Sequence, residues 1–127
     1  MSYIVRGKSL AARSELYRLQ GDEVGCISAI TEGELRYGTA KRAPGAARLA
    51  ALNVSFDRVR ILPWGSAEAL AYGNLRAKLE RAGKVLGNLD MLIAAHATSA
   101  NATLVTRDKA FAQVEDLRPC VNWATDL

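Results

Sequence analysis

Three carboxylates, each expected to lie beyond the carboxyl ends of the strands, could work together on a metal ion. Glu34 lies in "SAITEGELRYG", Asp90 in "GNLDMLIAAHA" and Asp108 in "TLVTRDKAF". In an open parallel sheet, ligands bind in the crevice outside the carboxyl ends of the strands. Carboxylates that converge there repel one another unless a hard divalent cation binds them. The pattern predicts a Mg²⁺ or Mn²⁺ site that assists the attack of water on a phosphodiester.

The sequence around Asp90 gives the most information about the role of its carboxylate. Its helix is apolar on almost every side, and no Lys or Arg stands three or four residues away. At an exposed position, the charge would favour the helix dipole by roughly 0.3–1 kcal/mol, with Asn88 as the cap. At a buried position, the carboxylate must meet a cation or several hydrogen-bond donors. Spacing alone leaves both interpretations open.

Other polar and aromatic residues near these segments have ordinary structural explanations. Thr106 and Asn88 could hydrogen-bond to the acids or to metal-bound water, or could simply cap their helices. His96 lies six residues after Asp90, on another side of the helix, and is predicted to be a packed or partly exposed histidine rather than a catalytic one. Trp64 and Trp123 are predicted to be core or dimer contacts rather than platforms for stacked bases.

Helical and strand-like segments alternate along the chain. Strands separated by helices predict an α/β fold with a parallel sheet that is covered on both faces. The predicted helices span 9–20, about Ile30 to Ala40, an Ala-rich stretch that ends near Asp57, about Ala67 to Ala82, and 88–100. The predicted strands are "VGCIS", "VRIL", "TLVT" and a last short one near "CVNW".

The composition predicts one domain, because the chain has 127 residues and half of them are hydrophobic. A formal charge of +4 favours polyanionic partners such as nucleic acid. Cys26 and Cys120 stand in apolar surroundings and are predicted to be reduced core thiols of a cytoplasmic protein. No apolar run reaches the roughly 20 residues of a membrane helix. Basic side chains that could contact RNA, although such clusters are usually just solvated, are Arg36, Lys41, Arg42 and Arg107.

Taken together in order and spacing, several segments resemble the PIN-domain ribonucleases of the VapC toxin family. They are the three acid-bearing segments, the linking "ILPWGSAEALAYGNLRAKLERAGKVLG" and the closing "LRPCVNW". The resemblance covers essentially the whole chain, 1–127, as a single PIN-like domain. It implies a parallel sheet with flanking helices, a Mg²⁺ or Mn²⁺ ion held by Glu34, Asp90 and Asp108, and cleavage of structured RNA such as a tRNA. It also implies a VapB-type antitoxin partner and a homodimer.

One part of the family pattern is absent from this sequence. Similar proteins begin with an apolar strand that ends in Asp-Thr-Asn or Asp-Thr-Ser, and "SYIVRGKS" resembles the segment just after that strand. We therefore expect the central first strand to be missing or replaced, either in a truncated copy of a normal enzyme, which we prefer, or in a product that naturally lacks the first acid. An exchanged strand, a separate peptide or "SYIV" itself could fill the gap, and "SYIV" costs least because Tyr, Ile and Val favour strands.

The missing acid keeps a second function open. With Glu34, Asp90 and Asp108 present but the first acid absent, we expect weak or absent nuclease activity from the chain as written. The alternative is a non-catalytic, degenerate PIN-like protein that binds antitoxin or RNA without cutting. Cleavage of RNA with and without EDTA distinguishes the two.

Overall fold

The computed structural model describes residues 2–6, 24–42, 45–57, 59–106, 108–115 and 117. The predicted helix over 9–20 and the predicted strand near "CVNW" lie outside these residues. Arg107, Cys120 and Trp123 also lie outside them.

Four parallel strands form the sheet within the described residues. They are β1 (Ser2–Val5), β2 (Val24–Ser28), β3 (Arg60–Leu62) and β4 (Thr103–Val105). Their order is β3-β2-β1-β4, and each neighbouring pair is parallel. This arrangement confirms the predicted α/β class with a parallel sheet.

The expectation of a missing central strand is wrong, because β1 lies in the middle of the sheet with a neighbour on each side. Ile4 is opposite Cys26 of β2 and also opposite Leu104 of β4. The segment "SYIV" supplies this strand, as its β-branched and aromatic residues allow. The residue that follows is Arg6, whose backbone N–H donates to the Val105 carbonyl at 3.0 Å. The central strand therefore ends on a cation, and no acid follows it directly.

Helices flank the sheet close to the predicted positions. They are α1 (Ala29–Lys41), α2 (Ala46–Phe56), α3 (Ser66–Arg81) and α4 (Asn88–Ser99). Their ends differ from the predicted ends by no more than one residue, which is within the usual uncertainty of a helix boundary. Within the described part of the chain, no helix is long and apolar enough to cross a membrane.

The cap of one helix differs from the one expected. Gly87 is the N-cap of α4, so Asn88 is the first helical residue rather than the cap. Segment "RDKAF" contributes to a 3₁₀ helix over Lys109–Gln113, which Asp108 caps. Ser28 begins α1 by accepting a hydrogen bond from the Ile30 backbone N–H at 3.0 Å.

The two faces of the sheet are covered by two separate hydrophobic clusters. Successive side chains of a strand point to opposite faces, so Ile4 faces one cluster and Val5 faces the other. The larger cluster packs the sheet against α3 and α4, and the smaller one packs it against α2. Cys26 is a free, buried thiol in the larger cluster, as predicted, and burial raises its pKa.

Candidate functional site

Three elements bring charged side chains together beyond the carboxyl end of the central strand. Glu34 projects from α1, the helix that follows β2, and Asp90 lies in the first turn of α4. Arg6 follows β1 directly. Because α1 and α4 contact each other, the two acids can reach the same guanidinium.

Arg6 bridges the two acids. One guanidinium nitrogen pairs with Asp90 Oδ1, and the other lies 3.2 Å from Glu34 Oε2. The Arg6 side chain is only 8% exposed, against 15% for Glu34 and 20% for Asp90. The partly buried Asp90 therefore has a compensating cation, and that cation comes from a residue 84 positions away.

The guanidinium of Arg6 also contacts an aromatic ring. Its Cζ lies 5.6 Å from the centroid of Phe111, a buried residue of the 3₁₀ helix. Burial alone would lower the pKa of Arg6, but hydrogen bonds and charges from Glu34 and Asp90 outweigh burial and raise it. Arg6 Nε is buried and has no hydrogen-bond partner among the described residues. Arg6 is thus held firmly as a cation, although not all of its donors are used.

Gly87 leaves room for the Asp90 carboxylate at the start of α4. A Cβ at position 87 would lie 3.3 Å from Asp90 Oδ2, which is closer than most Cβ contacts in proteins. A larger residue there would require the Asp90 carboxylate to shift by a few tenths of an ångström.

Asp108 does not share this arrangement in the structure. Its exposed side chain accepts a hydrogen bond from the Ala110 backbone N–H at 2.9 Å, and its own N–H donates to Thr106 Oγ1 at 3.1 Å. Thr106 precedes the helix cap rather than being the cap itself, and its supporting role stays a prediction. No group of three or more metal-ligating residues occurs in the described part of the chain.

The predicted Mg²⁺ or Mn²⁺ does not fit the arrangement as it stands. Carboxylate oxygens are suitable ligands for these ions, and Glu34 and Asp90 supply them. However, the guanidinium of Arg6 already occupies the space between the two carboxylates. A divalent cation there would meet a positive charge where it needs ligands.

Two of the predicted RNA-contacting residues contact side chains other than the acid pair. Arg36 pairs with Glu32 at 2.9 Å and lies over the Phe56 ring, while Lys41 lies 6.0 Å from the Tyr37 ring centroid. Arg36, Lys41, Arg42 and Asn88 are all exposed. Their roles stay predictions.

A second, uncharged contact joins the same two helices. His96 of α4 and Ser28, the cap of α1, are both buried, and His96 Nδ1 lies 2.6 Å from Ser28 Oγ. The ring of Trp64 packs edge-on against His96 at 5.4 Å, as expected for a packed histidine and a core tryptophan. Burial lowers the pKa of His96, although the charge of Glu68 acts in the opposite direction. His96 is therefore a neutral structural link.

Sequence reasoning misses two residues that organise this site, Arg6 and Ser28. The family pattern predicts that "SYIVRGKS" follows a strand, which leaves Arg6 outside the candidates. The sequence indicates that a buried Asp90 would need a cation nearby, but it does not identify Arg6 as that cation. Ser28 offers the usual signal of a helix cap, at the junction of "VGCIS" and a helix.

Comparisons with known proteins agree with this fold. Residues 1–117 match the PIN domain family. Ribonuclease VapC2 of Rickettsia felis is 38% identical over 92 residues, which are 72% of this chain and 69% of that protein. The tRNA(fMet)-specific endonuclease VapC of Shigella flexneri is 32% identical over 91% of this chain and 87% of its own length.

A solved structure shares the architecture over nearly the full length of both chains. It is the crystal structure of VapBC2 from Rickettsia felis bound to a DNA fragment from its promoter, with a TM-score of 0.82 and 30% sequence identity. The match covers 96% of this chain and 98% of that one. Given this fold, the family match over residues 1–117 and these relatives, the chain belongs to the PIN-domain family of VapC-type ribonucleases.

Proposed function

We propose that the chain is an endoribonuclease toxin of a VapBC-type toxin–antitoxin system. The observation that carries this proposal is the meeting of Glu34 and Asp90 on one cation beyond the carboxyl end of the central strand. Ligands of open parallel sheets bind at that edge. In this proposal Glu34, Asp90 and Asp108 are the reactive acids, and Mg²⁺ or Mn²⁺ is the cofactor. No catalytic step through a metal follows from the arrangement with Arg6 in place.

Structured RNA, such as a tRNA, is the proposed substrate. The Shigella flexneri relative is named as specific for tRNA(fMet), and the net charge of +4 suits a polyanionic partner. Exposed Arg36, Lys41 and Arg42 extend along α1 and its end, on the element that carries Glu34. Together with Arg107, they are proposed to contact the phosphate backbone, with Thr106 and Asn88 as supporting residues.

A VapB-type antitoxin is the proposed protein partner. The Rickettsia felis neighbour was solved as VapBC2, a toxin with its antitoxin. Exposed apolar side chains on this chain, including Leu49, Leu70 and Leu89, offer surface for an antitoxin or for a second copy in a homodimer. The proposed place of action is the cytoplasm.

The position of Arg6 favours a second candidate function. A guanidinium between the two acids neutralises the charge that a catalytic metal needs. The chain could then be a non-catalytic PIN-like protein that binds antitoxin or RNA without cutting.

Cleavage of a labelled tRNA pool separates the two candidates. For the nuclease, we expect weak cleavage at millimolar Mg²⁺, complete loss with EDTA, and loss in Glu34→Gln and Asp90→Asn. Glu80→Gln is the matched control, because Glu80 is an exposed acid paired with Arg76 on α3, and it should cut like the parent chain. Binding of tRNA by the chain without any Mg²⁺-dependent cleavage supports the non-catalytic binder. Cleavage that persists in both acid variants contradicts the assignment of the acids.

A further inference from the structure

We infer that Arg6 is a built-in cation that occupies the acid pair, and that a divalent ion binds Glu34 and Asp90 only after the Arg6 side chain has left. The inference rests on the proposed acid site, but it does not depend on cleavage of RNA. It concerns a residue of the chain itself, which no pattern in the sequence assigned to the site.

One pair of carboxylates cannot serve both cations at once. Arg6 uses two guanidinium nitrogens, one for each carboxylate, so that each acid receives one charge-assisted hydrogen bond. These carboxylate oxygens are the ones that a shared metal would need. A metal placed between them would also lie within a few ångströms of the guanidinium, where like charges repel. Binding of Arg6 and binding of a divalent ion are therefore mutually exclusive.

Several features of the contact between Arg6 and the acids favour exchange of the guanidinium for another cation. The side chains of Glu34 and Asp90 are 15% and 20% exposed to solvent, so an ion can approach them. Arg6 Nε is buried without a partner among the described residues, which is a cost that departure of the side chain removes. The backbone N–H of Arg6 donates to the Val105 carbonyl, a contact that rotation of the side chain alone leaves in place.

Direct measurement of metal binding tests the inference. Mn²⁺ is titrated into the whole chain, and free Mn²⁺ is followed by electron paramagnetic resonance. Arg6→Gln removes the charge, and we expect it to bind Mn²⁺ about tenfold or more tightly than the parent chain, since an opposing charge at this range acts on that scale. Arg76→Gln is the matched control, because Arg76 is an exposed arginine that pairs with Glu80, and it should bind like the parent.

A double variant shows whether the new binding uses the acid pair. Arg6→Gln combined with Asp90→Asn should lose the gain of Arg6→Gln. Equal Mn²⁺ affinity of the parent chain and Arg6→Gln overturns the inference. A gain that survives in the double variant also overturns it, because the ion would then bind elsewhere.

A stability measurement decides the question if Arg6→Gln does not fold. Asp90→Asn is made in the otherwise unchanged chain and its melting temperature is measured without metal. Two acids left to themselves would repel each other, and removal of one charge would raise the melting temperature. If Asp90 instead holds Arg6, its replacement leaves a buried cation without one of its partners, and the melting temperature falls. A rise, or no change, contradicts the bridge. Neither result depends on whether the chain cuts RNA.

Discussion

Helices α1 and α4 are joined at two places by contacts of opposite character. Ser28 and His96 make a neutral hydrogen bond between side chains that are almost completely buried. Glu34 and Asp90 are joined through Arg6 in a charged bridge whose carboxylates remain partly exposed. A neutral buried contact fixes the helices without attracting ions, whereas a charged contact near solvent can exchange one cation for another. The Ser28–His96 contact therefore fixes the two helices, whereas the Arg6 bridge determines which cation lies between the acids.

The largest expected effect comes from removal of the neutral contact. His96→Ala loses the hydrogen bond to Ser28 and the packing of the ring against Trp64. We expect a loss of about 3 kcal/mol in the free energy of unfolding, because a buried polar partner and a cavity both contribute. Urea denaturation measures it. His96→Gln, which can still hydrogen-bond to Ser28, should lose less, and equal losses would show that the hydrogen bond is unimportant.

A smaller effect is expected for the charged bridge. In a double-mutant cycle of Arg6→Gln and Glu34→Gln, we expect a coupling free energy of about 1–2 kcal/mol, in the range for contacting residues. The coupling should fall in 1 M salt, because the carboxylate is partly exposed and the screening length is then about 3 Å. The same cycle on Ser28→Ala and His96→Gln should not depend on salt. Identical salt dependence in the two cycles would remove the distinction between the contacts.

The smallest effect is a pH dependence that belongs to the neutral contact. Burial lowers the pKa of His96 in the folded chain, against the opposing charge of Glu68. As the pH falls below the unfolded pKa, about 6.5, the unfolded chain binds a proton before the folded chain does. The stability that neutral His96 contributes to the folded chain is therefore complete above that pH and is lost as the pH falls below it. Between pH 7.5 and 5.5, the parent chain should lose more free energy of unfolding than His96→Gln. Parallel curves would exclude a buried neutral histidine.

The amino-acid sequence is a good guide to the elements and a partial guide to the site. Strands "VGCIS" and "TLVT" and the helices that carry Glu34 and Asp90 are predictable because apolar periodicity and turn residues are local signals. The central strand is harder to predict, since "SYIV" favours a strand but only its neighbours in the sheet decide where it lies. The cation opposite Asp90 is predictable in kind, yet its identity depends on a contact between residues 84 positions apart. The shared role of Asp108 with the other acids stays a prediction.

The place of β1 in the sheet also determines when the site can form during synthesis. Its neighbour β4 pairs Thr103 with Tyr3, which are 100 residues apart in sequence (103 − 3). Contacts of such long range close slowly, since the intervening loop must first lose its conformational entropy. At roughly 5–20 residues per second, a ribosome needs several seconds to deliver β4 after β1. Until then Arg6 has no β4 carbonyl to hold it, and a nascent chain carries its acids without an assembled site.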